Sequence, residues 1–124
     1  MRKLLALLVA ATAVVLVTAA AAHASCLPET PTQQRARADV VFNGVALEGP
    51  TATGVQRFRV TRYLKGAGPA VVRVDTGHVR RADGSITTTS VSIVVRRGQT
   101  WRILARGSAH RILRTSVCDG SRKL

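Results

Sequence analysis

Val55-Gln56-Arg57-Phe58-Arg59-Val60-Thr61-Arg62-Tyr63-Leu64 alternates with the period of a β-strand. Arg57, Arg59 and Thr61 share one side, Phe58 and Val60 the other, so the spacing predicts a half-buried strand. Lys65-Gly66-Ala67-Gly68-Pro69 breaks it. A second strand is expected over Ala70–Thr76, with Val72 and Val74 inward and Arg73 and Asp75 outward. Upstream, Val40–Leu47 is a β-type run in which Gly44 marks a bulge or a close backbone approach. Glu48-Gly49-Pro50-Thr51 turns the chain.

The pattern continues toward the C-terminus. Gly77–Gly84 reads as a polar connection ending in the Asp83-Gly84 turn pair. Ile86–Val95, with Thr87, Thr88 and Thr89, reads as one strand. Thr100–Ala105 follows, with Trp101, Ile103 and Ala105 on one face and Arg102, Leu104 and Arg106 on the other. Arg111–Val117 is the last expected strand, before a Cys118-Asp119-Gly120 tail. A short helix over Thr32–Ala38 has Thr30 or Thr32 as its N-cap. Six or so short strands without βαβ spacing predict an all-β barrel or sandwich. In a five- or six-stranded barrel the interior set is Val41, Phe42, Val45, Phe58, Val60, Val72, Val74, Ile93, Val95, Trp101 and Ile103.

The 124 residues suffice for one domain. An apolar fraction of 46% argues against intrinsic disorder. Met1-Arg2-Lys3, the apolar run from Leu4 and the small-x-small Ala22-His23-Ala24 read as a signal peptide over 1–24. The alternatives are an uncleaved anchor and lipid attachment at Cys26, for which His23-Ala24-Ser25-Cys26 is a poor lipobox. Cleavage after Ala24 leaves a domain over 25–124 with 17 basic and 6 acidic residues, a net +11. Such a charge keeps a protein soluble and attracts polyanions. In an oxidising compartment Cys26 and Cys118 read as a disulfide. Closing a loop of about 92 residues contributes roughly 4–5 kcal/mol in the chain-entropy model; acylation of Cys26 excludes the bond.

Candidate chemistry is sparse. His78, near Asp75, reads as a surface contact rather than a metal site, and His110 has no near acid in sequence. There is no Gly-rich phosphate loop, no His-Glu-x-x-His and no Gly-x-Ser-x-Gly. We therefore expect no catalytic residues, no metal and no cofactor. Aromatics make up 3%, too few for a base-stacking platform, so no nucleic-acid partner is expected. The candidate anion-binding residues are Arg57, Arg59 and Arg73 on neighbouring strands, and Arg102 and Arg106, with Arg111 and Arg114 extending a second stripe.

Ala38-Asp39-Val40-Val41-Phe42-Asn43-Gly44 resembles the opening strand of small secreted bacterial proteins related to the netrin/TIMP-like domain. In order, Phe58-Arg59-Val60, Tyr63-Leu64-Lys65-Gly66, Val72–Gly77, Gly98–Ala105 and Leu113–Arg122 resemble later segments of that family. The resemblance implies a barrel of OB type. It also implies a Cys26–Cys118 bridge, while a second family bridge is absent. Ala24 stands at one of its positions and no Cys occurs near Val91-Ser92 at the other.

In the animal inhibitors of this kind a rigid N-terminal amine and carbonyl chelate a protease zinc. That role would fall here to Ser25, with Cys26 behind it. The expectation is thus a secreted, monomeric, non-enzymatic domain, extracellular or wall-associated, acting as a protein-interaction or metalloprotease-inhibitor-like module. The alternative is a basic domain that binds a polyanion or cell-wall polymer.

Overall fold

A computed structural model describes residues 26–124; the expected leader over 1–24, its cleavage site and Ser25 lie outside the described residues. After a short extended start comes helix α1 (Pro31–Arg37). Its cap is Thr30, whose side chain accepts from Gln33 N while the Gln33 side chain accepts from Thr30 N. This reciprocal box satisfies two donors at the helix start. α1 buries none of its own residues. It is held instead by Arg35, which donates to Leu64 O (2.7 Å), and by Lys65, whose Nζ donates to Arg35 O and Ala36 O.

The strands are β1 (Val40–Ala46), β2 (Val55–Lys65), β3 (Val71–Asp75), β4 (Val79–Arg80), β5 (Ile86–Thr87), β6 (Thr100–Ala105), β7 (Ile112–Arg114) and β8 (Arg122–Lys123). Six form one sheet in the order β7-β3-β2-β1-β6-β8, which curls into a half-barrel. β7 runs parallel to β3, and every other pairing in the sheet is antiparallel. Just past β6, Arg106 exchanges both backbone hydrogen bonds with Arg114 (2.9 and 3.0 Å). That bridge draws β6 toward β7 and brings the two sides of the curled sheet together.

β1 carries register shifts against β2 between Val41 and Phe42 and between Asn43 and Gly44. Gly44 is required by close approach: a Cβ there would lie 3.0 Å from the Phe42 ring and from Arg59 O. Bulges of this kind bend a strand and raise its twist, which a small curled sheet needs.

The interior contains Phe42, Phe58, Val72, Val74, Ile93, Val95, Trp101, Ile103 and Leu113, with Val60 and Tyr63 packed against them. Phe42 and Phe58 meet edge-on, 6.0 Å between ring centroids. A smaller cluster of Ala38, Val41 and Leu104, with Leu64, covers the other face beside α1. Val41 therefore belongs to this outer cluster and not to the barrel interior. Leu104, expected on a polar face, is 5% exposed. Val45 is half-buried and outside the interior cluster.

Three strand expectations are corrected. Of Ile86–Val95 only Ile86–Thr87 forms a strand; it pairs with β4 in a hairpin of its own, closed by Arg81, Asp83 and Gly84. Gly77–Gly84 is thus not wholly a connection, since β4 lies inside it. Arg111–Val117 is a strand only over Ile112–Arg114, and the tail forms a 3-10 turn (Val117–Asp119) followed by β8. The remaining part, 88–99, has no ladder, yet Ile93 and Val95 are 2% and 0% exposed. Buried apolar side chains gave that segment its alternation, and its backbone is satisfied by other means.

Candidate functional site

The two ends of the described domain are tied together. Cys26 and Cys118 form a disulfide with Cα atoms 5.2 Å apart. Beside it Arg37 donates to Glu29 Oε2 (2.9 Å) and Cys118 O (3.2 Å), and lies 3.3 Å from Asp119 Oδ1. Asp119 also accepts from Arg106 (3.2 Å) and from Ser116 Oγ (3.0 Å). One carboxylate thus joins α1, the 3-10 turn and the end of β6. Arg106, expected to bind anions, is committed to this clasp.

The other candidate arginines divide between two places on the sheet. Arg57 and Arg73 stand directly opposite each other across β2 and β3, with Arg59 two residues along the same face. All three are exposed. Arg57 is paired with Glu48 (3.2 Å); Arg59 and Arg73 have no carboxylate partner among the described residues. Like charges directly opposite each other destabilise a sheet pair, so this placement costs stability. Arg102 lies on another row, in which Arg62, Asn43, Arg102 and Arg122 follow one another over β2, β1, β6 and β8. Asn43 Oδ1 accepts from Arg102 Nε (2.9 Å), which fixes that guanidinium. Arg35 and Arg122 line a groove of about 130 Å³ with Arg102, over Val41, Leu64 and Leu104. Arg111 and Arg114 are exposed.

The six acidic side chains explain the surplus. Glu29, Glu48 and Asp119 are in ion pairs. Asp39 accepts from Gly107 N, Asp75 from Gly77 N, and Asp83 from both Ser85 N and Ser85 Oγ. The Ser85 hydrogen bonds hold the Asp83 carboxyl below its usual range. Every acidic side chain is engaged locally, and most of the arginines among the described residues face solvent without an ion pair.

His78 is not the surface residue expected. It is 5% exposed, and its Nδ1 is buried with no hydrogen-bond partner. Burial first, then the charges of Arg96 and Arg80, push its pKa below the ordinary imidazole value of 6.5. Asp75 is turned away to Gly77 N and does not pair with it. The sequence reading missed Arg35, Arg62, Arg80, Arg96, Arg97 and Arg122 as site candidates, because strand alternation does not show which residues distant in the chain share a cleft. No group of three or more His, Cys, Asp or Glu among the described residues could hold a metal ion. No helix among the described residues is long and apolar enough to cross a membrane.

No protein-family model, curated protein or solved structure matches the chain.

Proposed function

We propose that this chain is an exported, non-catalytic binding domain whose arginine-bearing outer face takes a polyanionic partner such as an acidic wall polymer. One observation carries the reading: all six acidic side chains are used locally, while Arg59 and Arg73 stand exposed on adjacent strands without a carboxylate partner among the described residues. Exposed charges of one sign raise the local concentration of a polymer of the other, and salt screens that attraction over about 8–10 Å. The test is retention of the exported protein on immobilised heparin across a salt gradient, with lysozyme as the comparison. The proposal expects elution later than lysozyme and strong salt dependence; elution no later than lysozyme, or retention that does not depend on salt, contradicts it.

A second reading, the inhibitor-like module, draws support from the Cys26–Cys118 bridge, which fastens the N-terminal segment to the domain. Fastening lowers the ordering cost of presenting a terminus to a partner. Inhibition of a zinc protease should then require a free Ser25 amine and persist in high salt. Acetylating that amine without effect on inhibition would remove this reading.

A further inference from the structure

A cleft of about 610 Å³ opens between the β4–β5 hairpin, the Gly49-Pro50 turn and the end of the 88–99 segment. Its walls carry Arg80, Arg96 and Arg97 together with Ile86 and Val94, and His78 forms part of its lining. No carboxylate among the described residues lines it. The three arginines have no ion-pair partner among the described residues. Ile86 and Val94 are 44% and 47% exposed, so the apolar wall is uncovered. The volume falls in the range of small-molecule sites, which are mostly apolar with a few placed polar groups.

We propose that this cleft binds a phosphate ester, the phosphoryl group held by Arg80, Arg96 and Arg97 and the ester's carbon part resting on Ile86 and Val94. The inference deepens the polyanion reading and rests on it. Guanidinium groups match phosphate oxygens bidentately, and three of them suit a group carrying nearly two negative charges. His78 makes the site measurable. Its Nδ1 is shut off from solvent, so the ring reaches the cleft by its other edge. The charged groups lining the cleft are Arg80 from β4 and Arg96 and Arg97 from the segment before β6; beyond burial, Arg96 and Arg80 disfavour the imidazolium. A bound phosphate reverses that field and raises the imidazole pKa toward its ordinary value. His110, exposed and outside this cleft, is an internal reference.

The experiment is an NMR pH titration of both imidazoles in the exported protein, with added phenyl phosphate, inorganic phosphate or chloride at matched ionic strength. Phenyl phosphate is expected to raise the His78 pKa saturably and leave His110 nearly unchanged. It should bind at least about tenfold more tightly than inorganic phosphate, since covering about 100 Å² of apolar surface is enough for that factor. Arg96→Gln with Arg97→Gln should abolish the His78 response; both side chains are exposed, so the fold should persist. Equal shifts at His78 and His110, equal affinity for the two phosphates, or a response surviving in the double variant would overturn the proposal. Heparin retention on the same samples separates the two claims. A silent His78 with retention intact sinks the cleft alone; loss of both sinks the polyanion reading as well.

Discussion

The two sides of this barrel are held by different forces. On the β1, β2, β3 and β6 side the backbone is satisfied by long ladders. Opposite, 88–99 contributes Ile93 and Val95 to the same core without a strand partner. Apart from the Gly98 N to Ala46 O and Ala46 N to Gln99 O bonds (2.8 and 2.9 Å) that tie its last residues to β1, its anchors are isolated. Gln56 Nε2 donates to Val95 O (3.0 Å), Ser92 Oγ to Gly77 O (3.0 Å) and Val117 N to Val91 O (2.9 Å). Gln56 is itself fully buried and accepts from Thr76 Oγ1 (2.7 Å). A ladder distributes stability over many bonds, whereas this segment depends on a few that each matter. Local opening should therefore begin there.

The largest effect is expected at the clasp. Cys26→Ser with Cys118→Ser should cost about 4–5 kcal/mol, read from the denaturant midpoint. Because Val117 adjoins Cys118 and anchors Val91, amide exchange should accelerate more in 88–99 than in β1. Equal acceleration in both would erase the distinction between the two sides. Phe58→Ala, on the ladder side, should cost about 3–5 kcal/mol through the cavity it leaves. It should raise exchange in β1 and β2 along with the rest, as expected of a cooperative unit.

A smaller and more selective change is expected for Gln56→Leu. It removes the donor to Val95 O and Glu48 O and the partner of Thr76 Oγ1. About 1–3 kcal/mol should be lost, with protection falling first at 88–99. His78 sharpens the same contrast through pH. Its folded pKa lies below the unfolded value, so the unfolded chain binds more protons as acid is added. The stabilisation it carries is present above pH ~6.5 and lost as pH falls through the folded value. A His78→Gln variant should show a flatter fall in thermal midpoint between pH 7 and pH 5; an unchanged slope would mean that the imidazole is not protected from protonation. The least effect on stability, within about 0.5 kcal/mol, is expected for Arg59→Gln with Arg73→Gln.

The same contrast explains what the sequence disclosed. Val55–Leu64 and Thr100–Ala105 alternate because one face is buried and the backbone is laddered, and both were legible almost to the residue. Ile86–Val95 alternates for the first reason only, so its strand was overread. Short β8 and β4 carry too little pattern to be seen. Leu104 was assigned to solvent because only tertiary packing beside α1 covers it. Among candidate site residues, the outward direction of Arg57, Arg59 and Arg73 was legible from period two. That Arg57 and Arg106 have acidic partners, while Arg80, Arg96 and Arg97 share a cleft with His78, depends on contacts no local pattern encodes.

Binding of a polyanion by uncompensated outer-face arginines is tested most directly by affinity for a long-chain polyphosphate as a function of salt. Wild-type protein and the Arg59→Gln, Arg73→Gln variant, matched in thermal midpoint, would be compared. Weaker binding at low salt and a shallower salt slope in the variant are predicted. Identical affinities and slopes would contradict the account.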